Sequence, residues 1–244
     1  MIKMKINDFE VEALPGETIL QTARRLDIFI PSLCYKDATE PTNSCRLCMV
    51  EAAEGGRGGK LVASCAFPAK EGLSVRTETD ELRKIRKTLL KLMYAQAPDN
   101  PVIVELMERY DVSPERKYTE KEGQCILCGL CVQGCRKLGT SAISTVQRGT
   151  IKKVSTPYDR QAASCIGCAT CARFCPTKCI EVTDTEEGRT IWNKKFPWVH
   201  CEICGKIVTT DKHYKASTGS DTIICPDCRK KAISDLFAET LGEE

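Results

Sequence analysis

No stretch of this sequence approaches the roughly 18 consecutive apolar residues that a membrane-spanning helix needs. The opening residues, MIKMKINDFEVEALPG, carry no apolar core of a secretory signal, so neither insertion nor export is expected. Aromatic side chains are scarce at 6%, and 42% of residues are hydrophobic, a balance that argues against one large core. A net charge of +3 is too small to imply nucleic acid by itself, and the basic residues lack neighbouring aromatics for base stacking. The chain has no dinucleotide-binding glycine fingerprint and no visible pairing of a nucleophile with a base. The glycine-rich GGRGG at 55–59 is no phosphate loop, because the Lys-Ser/Thr pair and the strand-to-helix setting are missing.

What the chain has in excess is cysteine, 17 in 244 residues. Four lie between 34 and 65, nine between 125 and 179, and four between 201 and 228. A cytoplasmic chain keeps its thiols reduced, so clustered cysteines read as metal ligands and not as a disulfide scaffold. Several small units, each stapled by an inorganic centre, are expected. The gaps between the sets divide the chain into segments 1–78, 79–118, 119–190 and 191–244.

The local patterns are those of a mixed chain. MKINDFEVEAL alternates about a turn at Asn7–Asp8 and predicts a hairpin. PGETILQTARRLDI predicts a helix with Ile19, Leu20, Ala23 and Leu26 on one face. CMVEAAEGGRGGKLVASC predicts two strands joined by the glycine-rich turn. Thr79 caps a helix over 79–97, with Leu82, Ile85, Leu89 and Leu92 as its apolar stripe and Arg83, Lys84, Arg86 and Lys87 on a solvated face. A short helix follows in NPVIVELMERY. The last helix, in CRKKAISDLFAETLGEE, aligns Ile233, Leu236, Phe237 and Leu241 as a local core.

The first cysteine set, Cys34, Cys45, Cys48 and Cys65, has the spacing C-x10-C-x2-C-x16-C. Four thiolates suit a 2Fe–2S centre, two for each iron, with a zinc site as the alternative. The second set is CILCGLCVQGC (Cys125, Cys128, Cys131, Cys135) and CIGCATCARFC (Cys165, Cys168, Cys171, Cys175), the latter followed by Pro176. These are the runs of two-cluster bacterial ferredoxins, in which the fourth cysteine of each run ligates the other cluster. One 4Fe–4S cluster is thus expected on Cys125, Cys128, Cys131 and Cys175, and another on Cys165, Cys168, Cys171 and Cys135. Small residues between the ligands (Gly129, Gly134, Gly167, Ala169) leave room for backbone N–H groups to reach cluster sulfurs. Cys135 is followed by Arg136 instead of proline, a cation expected to raise a nearby cluster's potential. Cys179 is left over and reads as a buried structural thiol. The third set, Cys201, Cys204, Cys225 and Cys228, has the C-x2-C-x20-C-x2-C spacing of a zinc ribbon. One zinc is expected there, with a rubredoxin-like iron as the alternative, and His200 and His213 read as surface residues.

Beyond the spacing, IPSLCY, NSCRLCMVE and LVASCAFPAKEGLSVRT resemble the N-terminal ferredoxin domain shared by three related groups of proteins. They are the electron-input iron–sulfur subunit of bacterial complex I (NADH dehydrogenase), the diaphorase part of NAD-linked hydrogenases, and the iron-only hydrogenases. The insert CRKLGTSAISTVQRGTIKKVSTPYDR between the ferredoxin runs extends the resemblance to about residue 185. It implies a β-grasp fold and a 2Fe–2S cluster on the first four cysteines. Family members usually add a 4Fe–4S site of one histidine and three cysteines just after the linker helix. Here that stretch reads YAQAPDNPVIVELMERYDV, without histidine or cysteine, so no such cluster is expected.

The fold class expected is α+β: a β-grasp 2Fe–2S domain, a helical linker, a two-cluster ferredoxin-like domain and a small C-terminal zinc ribbon. The function expected is a non-catalytic electron-transfer subunit with one 2Fe–2S and two 4Fe–4S clusters and no catalytic residues. By resemblance it would relay single electrons between a flavin-containing NAD(P)-binding subunit and a catalytic oxidoreductase subunit such as a hydrogenase or formate dehydrogenase. The setting would be a soluble, anaerobic, cytoplasmic hetero-oligomer without a membrane span, with ferredoxin a further partner if the complex bifurcates electrons. The competing reading is a zinc-ribbon nucleic-acid-binding protein with structural clusters, to which CRKK and the basic linker helix lend some support.

Overall fold

The computed structural model describes residues 1–55, 58–115 and 123–241. The tip of the glycine-rich turn, Gly56 and Arg57, and the expected boundary at 118/119 lie outside the described residues. The chain forms two compact units, one of Met1–Gly134 with Phe174–Cys179, the other of Cys135–Arg173 with Ile180–Glu244. Each ferredoxin run therefore separates from its own fourth cysteine.

The first unit opens with the expected hairpin, β1 (Ile2–Ile6) and β2 (Phe9–Ala13), where Ile6 pairs with Phe9 across a two-residue turn. Asn7 takes a left-handed φ of 56° there, a conformation that asparagine tolerates well. Its side chain accepts a 2.9 Å bond from the Thr77 amide, which ties the turn to the end of the domain's last strand. Helix α1 (Ile19–Arg25) starts on a capping box, in which Thr18 and Gln21 satisfy each other's backbone N–H groups. It buries Ile19, Leu20, Thr22 and Ala23, whereas Leu26 is exposed because the helix has ended before it. Strands β3 (Met49–Glu54), β4 (Lys60–Ala63) and β5 (Leu73–Arg76) complete a five-stranded sheet of order β2-β1-β5-β3-β4. Only β1 and β5 pair in parallel.

Thr79 caps α2 (Asp80–Gln96) as expected, but the buried stripe is Leu82, Arg86, Leu90 and Ala95. Leu92 is exposed, and Arg86, expected on a solvated face, is wholly buried. The four-residue spacing of Leu82, Arg86 and Leu90 carries the arginine inward with the leucines. Helix α3 (Pro101–Arg109) has Asn100 as N-cap and proline at its start. Its Ile103 and Met107, with Tyr110, join Leu33, Leu47 and Leu90 in a second buried apolar cluster.

Helix α4 (Leu130–Lys137) crosses from the first unit into the second, which continues with the hairpin β6 (Ser144–Val146) and β7 (Lys153–Ser155). Helix α5 (Thr170–Phe174) carries Cys171, the third cysteine of the second run. Then come β8 (Val182–Asp184), β9 (Gly188–Ile191), β10 (Lys194–His200) and β11 (Ile207–Thr210), an antiparallel sheet of order β11-β10-β9-β8. Helices α6 (Asp211–Thr218) and α7 (Pro226–Leu241) end the chain. Of the apolar stripe expected on α7, Ile233, Leu236 and Phe237 are 50%, 62% and 63% exposed, and the side chain of Leu241 lies outside the described ones. The helix is anchored at its first turn, through the buried Cys225 and the half-buried Cys228, and its described side chains from Arg229 on face outward. No described helix is long and apolar enough to cross a membrane.

Gly188 begins β9 where a Cβ would stand 2.2 Å from the backbone oxygen of Phe196 on β10. That oxygen cannot swing aside as a side chain would. Gly188→Ala is expected to pry β9 from β10 and destabilise the second unit by about 1–3 kcal/mol, the range for overpacking. Thermal unfolding of the metal-loaded protein checks this.

Candidate metal centres

All 17 cysteines lie among the described residues, and none is in a disulfide. Cys34, Cys45, Cys48 and Cys65 are buried together in the first unit. They associate as two pairs. The Cys45 amide donates to Cys34 Sγ at 3.4 Å, and Cys48 Sγ lies 3.4 Å from Cys65 Sγ. Within each pair the proton is unequally held. Hydrogen bonding from Cys45 lowers the Cys34 thiol to about 5, and Cys34 in turn pushes Cys45 up. Cys65 lowers Cys48 to about 7 and is itself pushed up. Thiolate is the metal-binding form, so the loop favours ligand character before any metal arrives. Asn43 and Arg46 hold left-handed backbones in this loop, at φ 53° and 56°.

Arg86 is the residue that sequence reasoning missed. Its Nε donates to Leu47 O at 3.1 Å and its Nη2 to Met49 O at 2.8 Å, the carbonyls on either side of Cys48. Nη1 donates to Thr77 O at 2.9 Å and to Glu78 Oε1 at 2.6 Å. The Tyr110 hydroxyl also donates to Glu78 Oε1, at 3.0 Å, and burial pushes that phenol up to about 12, so it stays a donor. Only a planar fork of five N–H donors can serve so many acceptors at once. The available signal was positional: Arg86 falls on the Leu82–Leu90 stripe.

Cys125, Cys128, Cys131 and Cys175 belong to the first unit, and Cys179 joins them. The expected buried structural thiol is instead half-buried, with Sγ 3.5 Å from Cys175 Sγ and a hydrogen bond that lowers Cys125. The five-residue CPTKC turn brings it back beside Cys175. The α2–α3 segment grips this region: Gln96 Nε2 donates to Cys125 O at 3.2 Å, and Asn100 Nδ2 to Thr177 O at 3.0 Å. Cys128 also borders the first set, since Ser44 Oγ donates to its carbonyl at 3.1 Å. Both Cys34 and Cys45 share its apolar cluster.

In the second unit, Cys135, Cys165, Cys168 and Cys171 line one cavity, closed by Ile191 and Trp192. Burial pushes Cys165 up and Cys171 up to about 11. Cys135 Sγ receives the Ala142 amide at 3.2 Å. Arg136, expected to act as a local cation, is exposed because α4 turns it outward. Lys194 does meet this loop, its Nζ donating to Ala162 O at 2.7 Å and Cys165 O at 3.4 Å. The two runs repeat one backbone device. Left-handed residues flank Cys128 (Leu127 at φ 54°, Gly129 at 82°) and Cys168 (Gly167 at 71°, Ala169 at 57°). Successive turns of that kind aim N–H groups at a common centre, as iron–sulfur sites require.

The sulfurs of Cys201, Cys204, Cys225 and Cys228 all lie within 4.8 Å of one another. The Cys225 amide donates to Cys201 Sγ at 3.3 Å, and chiefly through that bond Cys201 is lowered to about 6. Its neighbours in the group push Cys228 up to about 12. His200 is exposed, as expected. His213 is half-buried instead, with Nδ1 2.8 Å from Oγ1 of Thr209 in β11, and burial lowers its basicity. All-thiol donor sets with amides directed at sulfur fit iron–sulfur clusters in the first two groups, and a tetrahedral metal ion in the third.

Comparison with known proteins agrees with that chemistry. Residues 1–80 match the family model of a 2Fe-2S iron-sulfur cluster binding domain, and residues 120–182 that of a 4Fe-4S dicluster domain. The chain carries both of these domains. It is homologous to iron–sulfur proteins of the complex I and NAD(P)-linked hydrogenase kind. An NADH-quinone oxidoreductase subunit of Rhizobium meliloti is 32% identical over 84% of this chain and 27% of its own length. The HndD subunit of an NADP-reducing hydrogenase from Solidesulfovibrio fructosivorans is 30% identical over 93% of this chain and 43% of its own. The chain thus spans less than half the length of these curated relatives. Among solved structures, that of an NAD+-reducing NiFe hydrogenase in the H2-reduced state contains a chain matched at TM-score 0.62 and 26% identity. The match covers 72% of this chain and 84% of that one.

Arg86→Met should leave the carbonyls around Cys48 without donors and cost about 3 kcal/mol, as when one partner of a buried ion pair is removed. Loss of the 2Fe–2S visible absorption on mild heating, with the 4Fe–4S signals retained, is the expected result. Arg86→Lys, with fewer donors, should fall between.

Proposed function

We propose that this chain is an electron-transfer subunit holding one 2Fe–2S and two 4Fe–4S clusters. The first would be ligated by Cys34, Cys45, Cys48 and Cys65, in a β-grasp domain over 1–78. The sheet order and the parallel β1–β5 pair support that fold. The others would use Cys125, Cys128, Cys131 and Cys175, and Cys165, Cys168, Cys171 and Cys135, in a dicluster domain after the 79–118 linker. The division of the fourth cysteines between the two compact units supports this crossed ligation. Cys201, Cys204, Cys225 and Cys228 would hold one zinc. Bound clusters of these types accept and release single electrons, at potentials set by ligation, hydrogen bonding and burial.

The observation that carries the reading is the junction inside the first unit. Cys34, Cys45 and Cys128 pack in one apolar cluster, and Ser44 Oγ bonds directly to Cys128 O. On that arrangement a 2Fe–2S ligand set would stand directly beside a 4Fe–4S ligand set, joined by apolar side chains. The stretch where relatives add a histidine-and-cysteine site is occupied by Ile103, Met107 and Tyr110, so the route would run without it. The chain's part is to position the ligands, keep water away and hold the sites adjacent.

The named relatives suggest the ends of the route. They include an NADPH-Fe(3+) oxidoreductase subunit of Geobacter sulfurreducens and a putative formate dehydrogenase of Staphylococcus haemolyticus, besides the hydrogenase and quinone reductase subunits. Partners of this chain would be a flavin subunit that handles NAD(P) and a catalytic oxidoreductase subunit, in a cytoplasmic complex. Nucleic-acid binding is not favoured by any of these similarities.

Metal analysis of anaerobically prepared protein should give about ten irons and one zinc per chain, and electron paramagnetic resonance one 2Fe–2S and two coupled 4Fe–4S signals. Six or fewer irons would overturn the count, and a rubredoxin-like absorption without zinc would overturn the zinc. Cys175→Ser should disturb the cluster nested in the 125–131 run. Damage confined to the cluster nested in 165–171 would refute crossed ligation.

A further inference from the structure

The hairpin of β9 and β10 lies past residue 182, where the dicluster match ends, yet it touches the second cysteine run repeatedly. Arg189 Nη1 donates to Gly167 O at 3.2 Å. The Phe196 ring lies so close to Gly167 that a Cβ there would be 2.7 Å from it. Lys194 holds the carbonyls of Ala162 and Cys165. At the tip stands Trp192.

Two things about Trp192 need a cause. First, it occupies a two-residue hairpin turn, between the paired Ile191 and Lys194, at φ 52°. Turns of this type favour asparagine and glycine, and a bulky side chain with positive φ is an outlier. Second, its indole Nε1 is buried with no oxygen or nitrogen acceptor. Leaving such a donor unpaired in a buried site is costly. Both costs fall on one residue, and strain of this kind collects at functional sites.

The surroundings supply the missing acceptor. Trp192 lines the cavity formed by Cys135, Cys165, Cys168 and Cys171. A thiol is a poor acceptor, but a thiolate or a cluster sulfide is a good one. We propose that the Gly188–His200 hairpin is a working wall of the second 4Fe–4S site, where Trp192 donates its N–H to a sulfur of the cluster or of Cys171 and raises the cluster's potential. Donors to cluster sulfur stabilise the more negative reduced state, which sets the direction of the shift. Lys194 acts in the same sense from the Cys165 side. Trp192 is a positioning and tuning residue and takes no electrons itself.

This inference rests on the assignment of a 4Fe–4S cluster to Cys165, Cys168, Cys171 and Cys135, which the iron count and the paired 4Fe–4S signals test separately. With both clusters present, the wild-type holoprotein grown with indole-15N tryptophan should show a 15N coupling on the reduced second cluster by electron–nuclear double resonance. The other tryptophan cannot supply it, because Trp198 Nε1 donates to Thr185 O at 2.8 Å. Trp192→Phe should keep the iron content, abolish that coupling and lower the second cluster's potential severalfold in reduced-to-oxidised ratio, leaving the first 4Fe–4S cluster unmoved. Absence of the coupling in wild-type protein that holds both clusters would overturn the proposal, whether or not the variant folds. An unchanged second-cluster potential in Trp192→Phe would overturn it as well.

Discussion

Four thiols gathered about one point in a buried site can neither all stay protonated in comfort nor all ionise alone. Each charge raises the cost of the next in a medium that screens poorly. The Cys34–Cys45 and Cys48–Cys65 pairs display the compromise, one sulfur lowered in each pair and its neighbour raised. A cationic metal centre resolves it, and the free energy of metal binding then becomes free energy of folding. This explains how a chain with 6% aromatic residues sustains several small cores. Each core is built around sulfur, and apolar side chains seal what sulfur has already drawn together.

The cysteine sets were legible in the sequence because their spacings are local and metal chemistry allows few alternatives. The Asn7 turn, the Thr79 cap and the short helix α3 were legible for a like reason, since each depends on a few neighbouring residues. Arg86 was not, because its burial is decided chiefly by carbonyls at Leu47 and Met49, far away in the chain. By periodicity it sits with Leu82 and Leu90, and by residue type it belongs with its basic neighbours. Type prevailed in the reading and periodicity in the structure. On α7 the error ran the other way: Ile233, Leu236 and Phe237 have helical spacing, but all three stand more exposed than buried.

The linker between the first two cysteine sets is better understood as a spacer with two grips. Arg86 holds the Cys48 loop near its start, and Gln96 holds the Cys125 carbonyl at its end. Ten residues of helix separate the grips, about 15 Å at 1.5 Å per residue. A helix is stiff over that length, so the two sulfur sets cannot drift apart without breaking buried hydrogen bonds. Ile103, Met107 and Tyr110 then fill the angle beside it. Electron exchange is acutely sensitive to separation, and a rigid, dry spacer is what such exchange asks of a protein.

The C-terminal four-cysteine group extends this logic to a site that need not change oxidation state. Cys201 follows directly on β10, and the 2.8 Å bond from its amide to Lys206 O closes the turn into β11. From the end of β11, Thr210 Oγ1 reaches Ile166 O at 2.7 Å, within the second ferredoxin run. A metal clamped at the base of β10 would therefore fix the strand that carries Lys194 and Phe196, and through its turn Trp192. Scaffold and wire are then not separable at residue 191. A closed, redox-silent centre can shape a redox site by holding still the hairpin that lines it.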